Sequence, residues 1–358
     1  MDFTFGEDRE LFASTLREVL DDRCGPAAVR ASWDDPAGRV DGLWTVLAET
    51  GILGLLVPED QGGLGMDERD LVLLLEELGR AACPDPVAEH AAVVVPVLRD
   101  LASEASWERW LPGLADGSVV ATAGSSVDRP VLAGGSADLV LLAVDGAVHA
   151  VPGDAVAATA QAGVDGSRRL ATVEATTSAD TLVSDDPSAV DVVLDRGAWA
   201  AAAQGLGVVQ RLLDLTVEYV GEREQFGRPV GANQAVKHHC SNVAIVLEFA
   251  RPLVHVAAWT LVTGRLPEGT VPLAADQRSA PRAASVAASM AKAAVSDALD
   301  LACRSALQCH GAIGYTIEYD LQLWLKRGWA LSASWGDARH HRRRIAAGLG
   351  LPSDRTGA

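Results

Sequence analysis

Apolar positions recur at helical spacing over the first third of the chain. Phe12, Leu16, Val19 and Leu20 fall at i, i+4, i+7 and i+8, which puts them on one face of an amphipathic helix. Asp67 is placed to cap a helix carrying Leu71 to Leu78, with Gly79 suited to close it. Between helices lies Gly54-Leu-Leu-Val-Pro-Glu-Asp-Gln-Gly-Gly-Leu-Gly65, whose glycines and proline force a loop.

From about residue 118 to 188 the helical period disappears. Asp138-Leu-Val-Leu-Leu-Ala-Val144 and Ala147-Val-His-Ala-Val151 are short apolar runs on either side of Asp145-Gly146. Asp-Gly accepts the positive φ values of a type I′ turn, so this is a β-hairpin. Arg168-Arg-Leu-Ala-Thr-Val-Glu174 adds an alternating strand. Helical patterning then returns. Ala198–Tyr219 predicts a long alanine-rich helix, and a loop at Gly221–Ala232 reverses the chain. Gln234–Gly264 predicts a second helix, kinked at Pro252. A polar connection spans Thr263–Pro281, Ala283–Gln308 is a third helix, and shorter helices follow from about 317 to 348. The expected architecture is mostly α with a small β domain: a helical domain at 1–117, a β domain at 118–188 and a four-helix bundle at 189–358.

Composition narrows the partners. The formal charge of −18 argues against nucleic acid, because phosphate binding needs a basic field. The opening MDFTFGEDRELF has neither a basic n-region nor an apolar h-region, so no signal peptide is expected. No uncharged run approaches the roughly 20 apolar residues of a membrane span, and the cytoplasm is the expected compartment. The five cysteines, at 24, 83, 240, 303 and 309, match no zinc or CxxC pattern and are expected to be buried free thiols. The eight histidines form no HExxH array, and neighbours such as His238-His239 and His340-His341 point about 100° apart on a helix, so no metal site is expected. The basic run Lys326-Arg327 and Arg339-His-His-Arg-Arg-Arg344 reads as a solvated helix face, or as a contact with phosphates or an acidic partner.

Two stretches carry the candidate chemistry: Gly221-Glu-Arg-Glu-Gln-Phe-Gly-Arg-Pro-Val230, followed by Asn233-Gln234, and Gln308-Cys-His-Gly311-Ala-Ile-Gly-Tyr-Thr-Ile-Glu-Tyr319. Taken alone, the first is a polar loop between helices, with Arg223 capping carbonyls. Taken together, the two resemble the flavin-nucleotide signature of the acyl-CoA dehydrogenase family. Val57-Pro-Glu-Asp-Gln-Gly-Gly-Leu-Gly65, Leu75-Glu-Glu-Leu-Gly-Arg80 and Trp110-Leu-Pro-Gly-Leu-Ala115 resemble further family landmarks in the same order. The wording of HGAIGYTIEYDLQLWLKR looks most like actinobacterial members that include heteromeric enzymes.

The resemblance implies FAD as cofactor. It implies that Arg223 reaches the pyrophosphate of an FAD shared with a neighbouring subunit, with Gln225 beside it and Phe226 against the adenosine. Gln234 belongs to the same contact set, and Gln308, Gly311 and Ala312 match a QxxGG motif whose second glycine is alanine here. The family's catalytic carboxylate, which takes the α-proton of an acyl-CoA thioester, aligns with Trp335 in most members and with Gly197 in a minority. Indole is a donor only and glycine has no side chain, so neither is a base. Ala121-Thr-Ala-Gly-Ser-Ser-Val-Asp128 replaces the family's flavin-holding TEPxAGSD-like loop, and the β domain is shorter than usual.

The expected function is therefore one subunit of a heteromeric acyl-CoA dehydrogenase. This chain would supply the ADP side of the FAD site. A partner of the same family would carry the flavin face and the Glu, and an electron-acceptor flavoprotein would reoxidise the cofactor. The resemblance implies bulky acyl-CoA substrates such as steroid side-chain thioesters. Two alternatives stay open. One is a self-sufficient enzyme using Asp195, Asp337 or Glu318 as a displaced base. The other is a non-catalytic scaffold of the same fold.

Overall fold

The computed structural model describes residues 5–125, 130–267 and 280–351. Six helices come first: α1 (Glu7–Arg23), α2 (Pro26–Ala31), α3 (Leu43–Glu49), α4 (Glu68–Arg80), α5 (Val95–Leu101), which continues a π-helical stretch at Ala88–Val94, and α6 (Glu104–Ala115). Leu16 and Leu20 are fully buried on α1, with Phe12 and Val19 half-buried beside them, so the amphipathic face is as expected. The Asp67 cap also holds. Its carboxylate accepts from Arg69 N, and Asp70 accepts from Asp67 N, which completes a capping box.

Gly79 does something other than close the helix. α4 runs past it to Arg80, and a Cβ built on Gly79 would overlap the backbone carbonyl of Gln204. Reciprocally, a Cβ on Gly207 would overlap the carbonyl of Glu76. Two helices cross here with their backbones in contact, which only glycine on both sides permits.

The β strands form two small sheets. β1 (Ala121–Ser125), β3 (Leu139–Val144), β4 (Ala147–Pro152) and β7 (Leu182–Ser184) pair in the order β1-β3-β4-β7, with β1 and β3 parallel. β2 (Val131–Leu132), β6 (Leu170–Ala175) and β5 (Val156–Gln161) pair in the order β2-β6-β5. Asp145 (φ 51°) and Gly146 (φ 81°) make the β3–β4 turn with both central residues left-handed, as a type I′ hairpin requires. Val131, Ala137, Val140, Leu142 and Val151 form a separate apolar cluster in this β region. Of the expected flavin-loop counterpart at 121–128, the part beyond Ser125 lies outside the described residues. So does most of the polar connection at 263–281.

Three long helices dominate the rest: α7 (Ser188–Glu222), α8 (Gln234–Thr263) and α9 (Ala280–His310). α7 starts ten residues before the expected Ala198, and α8 runs through Pro252 as one helix, as expected. Leu247, Ala250 and Val254 bury the helix on both sides of the proline, so packing holds it where local chemistry would release it. Gly264 (φ 68°) then caps α8. By length and composition α8 is the one helix among the described residues apolar enough to cross a bilayer. It instead packs against α7 and α9, with the Trp199 indole N–H donating to Val254 O (3.3 Å). α10 (Leu321–Ala333) packs on α7 and α9, and α11 (Ala338–Gly348) on α9. Cys24, Cys83 and Cys303 are buried free thiols as expected, whereas Cys240 and Cys309 are half-buried.

Gly207→Val should force α4 off α7 and cost about 3 kcal/mol, the scale of an overpacked interior. Chemical denaturation checks it, and an unchanged midpoint would show that the crossing tolerates side chains.

Candidate functional site

The two motifs meet at one end of the helical bundle. α7 stops at Arg223, whose backbone turns to an extended conformation while its N–H donates to Tyr219 O (2.8 Å). The expected loop is in fact a miniature hairpin: β8 (Glu224–Gln225) pairs with β9 (Arg228–Pro229). Phe226 (φ 54°) and Gly227 (φ 76°) form its turn, again with both residues left-handed. This geometry leaves the Phe226 ring with no cover at all, at 101% relative exposure. Val230 N donates to Arg223 O (2.8 Å), and Arg228 donates to Asn233 Oδ1 (2.7 Å), fixing the hairpin to the start of α8.

α9 ends at His310, and Gly311 (φ 63°) turns the chain into a short 3-10 helix, Gly311–Tyr315. Tyr219 stacks on His310 with ring centroids 4.3 Å apart and donates from its hydroxyl to His310 O (3.4 Å). His239 Nδ1 lies 3.2 Å from Ser305 Oγ, tying the first turns of α8 to the last turns of α9. Arg223 therefore follows Tyr219 by one helical turn, Gln308 and Gly311 flank the stacked His310, and Gln234 opens α8 alongside.

Arg223, Gln225, Gln234, Gln308, Gly311 and Ala312 are all exposed at this end. Among the described residues the Arg223 guanidinium has no ion pair or hydrogen bond, and the Gln225 amide donates only to its neighbour's carbonyl, Glu224 O (2.8 Å). A Cβ on Gly311 would meet nothing within 4 Å. His310 Nε2 is buried without a hydrogen-bond partner, and burial lowers the ring's pKa. A free guanidinium, amide side chains and an open glycine turn make a donor set suited to phosphate oxygens.

The second cluster is buried. Gly197 and Trp335 are in contact: a Cβ on Gly197 would overlap the Trp335 indole. Trp335 is buried and itself sits at φ 56°, followed by Gly336 at φ 94°. The neutral His341 ring bridges this turn to α9, with Nε2 2.8 Å from Trp335 O and Nδ1 3.1 Å from Ser289 Oγ. Burial pushes the His341 pKa down to about 3.

Asp195 stands two residues before Gly197, and so about 200° round the helix from it. It faces Arg344 (2.7 Å) and Ser285 (2.6 Å). Burial pushes its pKa up to about 6 despite Arg344. Asp337 is the N-cap of α11, accepting from His340 N (2.7 Å), and that bond lowers its pKa. Glu318 is exposed in the turn before α10.

Several buried charges escaped the reading of the sequence. Arg327 donates to Asp165 (2.5 Å), Cys83 O (2.6 Å) and Ser167 Oγ (2.9 Å) inside the protein. Arg168, from the β5–β6 loop, donates to Ser334 Oγ (3.3 Å) beside Trp335 and faces Glu89 at 4.0 Å. The basic run is thus no uniformly solvated face. Arg327 and Arg344 point inward, Arg342 pairs with Asp297, and Lys326 lies over the Trp33 ring (4.7 Å). The available signal was that Arg327 interrupts the apolar sequence Leu323–Leu331 on a helix buried on several sides.

The chain matches the family models described as acyl-CoA dehydrogenase N-terminal domain at residues 6–118 and acyl-CoA dehydrogenase C-terminal domain at residues 188–350. It is 32% identical over 344 residues to the acyl-CoA dehydrogenase IpdE2 of Mycolicibacterium smegmatis, covering 95% of this chain and 98% of that one. The solved ChsE4-ChsE5 complex from Mycobacterium tuberculosis contains a chain of the same fold. Its TM-score is 0.85 at 23% identity, with both chains fully covered. The Tcur3481-Tcur3483 steroid ACAD G363A variant superposes with a TM-score of 0.80 at 24% identity, covering 97% of this chain and 99% of that one. The expected fold, helical, then small β, then helical, is the observed one.

The buried neutral His341 ring gives a pH test. Its folded pKa lies below the unfolded value, so its contribution is complete above about pH 6.5 and is lost as pH falls toward 3. Asp195 works in the opposite sense: with its folded pKa raised, its contribution is lost as pH rises from about 4 through 6. His341→Gln should flatten the loss of stability between about pH 6.5 and 4, measured as the urea midpoint against pH. An unaltered slope would mean the ring takes up its proton alike in the folded and unfolded protein.

Proposed function

Because the chain belongs to the acyl-CoA dehydrogenase family, whose members use FAD to oxidise CH–CH bonds, we propose that it serves as one subunit of a heteromeric acyl-CoA dehydrogenase, giving the ADP-side half of an FAD site. The observation that carries this reading is the contact between Gly197 and Trp335. The two positions where the family resemblance calls for a catalytic carboxylate lie against each other, and indole fills the space between them. A base in this chain would need a carboxylate there, and Asp195 points round the helix into its pair with Arg344. Asp337 is committed to a helix cap and Glu318 is in an exposed turn, which speaks against a displaced base.

The nucleotide end has the opposite character, and its donor set fits a dinucleotide. Among the described residues the Arg223 guanidinium has no partner, so it is available to the pyrophosphate. Gln225, Gln234 and Gln308 present amides, Phe226 presents an uncovered ring for the adenosine, and the Gly311–Ala312 backbone is open to approach. When bound, FAD supplies the hydride acceptor. This chain's residues bind and orient its ADP portion, while the α-proton is taken by a carboxylate of the partner subunit. These exposed donors also disfavour a scaffold without cofactor. The fold shared with the ChsE4-ChsE5 complex and the Tcur3481-Tcur3483 steroid enzyme is consistent with a partner of the same family and a bulky steroid-type acyl-CoA, in the cytoplasm, with a flavoprotein accepting the electrons.

Co-expression with a genomic neighbour of the same family tests the reading. FAD and turnover should appear in the complex and not in the chain alone. Arg223→Ala should weaken FAD retention by at least about tenfold, the scale of a charged hydrogen bond, read as flavin absorbance per complex. Trp335→Phe should leave turnover within about twofold, since ring packing survives and no proton transfer passes through it. Thioester oxidation at full rate by the solitary chain would overturn the proposal.

A further inference from the structure

Cys240 sits in the second turn of α8 and Cys309 in the last turn of α9, and their thiols hydrogen-bond to each other across the two helices. The register around them is held independently: one residue earlier on α8, His239 Nδ1 lies 3.2 Å from Ser305 Oγ, one turn earlier on α9. Both cysteines are half-buried, and Cys240 also lines an open groove, so a small solute reaches its sulfur. The other thiols provide the contrast. Cys24 and Cys83 also hydrogen-bond to each other, but they are sealed at 3% and 2% exposure. Cys303 is buried without a second thiol beside it, donating to Leu325 O (3.7 Å). Sealed thiols are inert, whereas a paired and accessible thiol can be oxidised and resolved by its neighbour.

Position gives the pair its consequence. Cys309 stands between Gln308, one of the exposed amides of the nucleotide half-site, and His310, whose ring stacks on Tyr219. One helical turn carries all three residues, so a displacement of Cys309 displaces its neighbours. Replacing a thiol contact by a covalent bond draws the last turn of α9 toward α8 and shifts the Gln308 amide with it.

We propose that Cys240 and Cys309 form a reversible disulfide in the presence of hydrogen peroxide, and that closing it loosens the hold of this chain on FAD. The second half of this inference rests on the half-site reading above. The Cys240 sulfur attacks one peroxide oxygen, the O–O bond breaks, and a sulfenic acid and a water result. The Cys309 sulfur then attacks the sulfenic sulfur. The S–S bond forms, the S–O bond breaks, and a second water leaves with the remaining thiol proton. The two sulfurs lose two electrons together and the peroxide gains them. Burial raises both thiols, Cys309 to about 11. The hydrogen bond between them opposes that rise only at Cys240, which is therefore the first to react.

The test treats the purified FAD-loaded complex with hydrogen peroxide. Alkylation after denaturation should then label three of this chain's five cysteines, the five less the bonded pair. Peptide mapping should place the cross-link at Cys240–Cys309. Flavin retention should fall at least about tenfold, the scale of one hydrogen bond to a charged group, and dithiothreitol should reverse all three changes. Cys240→Ser and Cys309→Ser should each keep their flavin under the same treatment, with circular dichroism checking that both variants fold. Five labelled cysteines after oxidation, a cross-link elsewhere, or a Cys240–Cys309 bond that leaves flavin in place would each overturn the proposal. A reduced complex that never carries flavin would instead overturn the half-site reading, and with it the effect on FAD, while the thiol count still decides the disulfide.

Discussion

The structure depends on how closely other elements can approach α7. Gly207 lets the backbone of α4 touch it, Gly205 admits Val295 and Leu299 of α9, and Gly197 admits the Trp335 ring. Between these glycines run Ala198, Ala200, Ala201, Ala202 and Ala203, all buried. A helix this slender packs neighbours on almost every side, which is how 35 residues come to organise the N-terminal helices, the β sheets and the bundle together. The small residues sacrifice side-chain burial per position but gain backbone proximity, and the dispersion contacts that follow are numerous.

The same helix separates two environments. In its N-terminal part the space is filled and the charges are matched, Arg196 to Glu68 (2.6 Å) and Asp195 to Arg344, while Arg327 of α10 pairs with Asp165 of the β5–β6 loop. Ion pairs this deep contribute little net stability, because desolvation offsets attraction, but losing one partner leaves a costly buried charge. They fix the relative placement of elements remote in sequence. At the C-terminal end of α7 the reverse holds. Arg223, the glutamines and Phe226 are exposed, and among the described residues the Arg223 guanidinium has no partner, which for a protein interior would be a defect and for a binding surface is a requirement. The functional proposal rests on this contrast between a sealed interior near the start of the helix and an open end.

Much of this was legible in the chain. The Asp67 cap, the Asp145-Gly146 hairpin and the face of α1 depend on interactions within a few residues, and local chemistry decides them. The two candidate nucleotide stretches stood out through their resemblance to a family signature; by residue type alone the first reads as a polar loop between helices. What local chemistry misjudged is equally specific. Gly79 looked like a helix stop and is a crossing point. The Gly221–Ala232 loop contains a paired hairpin. The basic run of 326–344 divides between core and solvent. For Gly79 and Arg327 the deciding partner lies far away in sequence, Gln204 and Asp165, whereas the hairpin pairs residues only a few positions apart.

The sequence by itself determined the order of helical and β segments, the turn chemistry and the identity of the residues available for chemistry, because these follow from spacing and side-chain type. Only the tertiary structure decided that Gly197 and Trp335, 138 positions apart, occupy the same space, and that Tyr219 and His310 stack to bring two motifs to one end of the bundle. Contacts between distant segments depend on how helices cross, and crossing geometry is set by packing of the whole core rather than by any stretch of the chain.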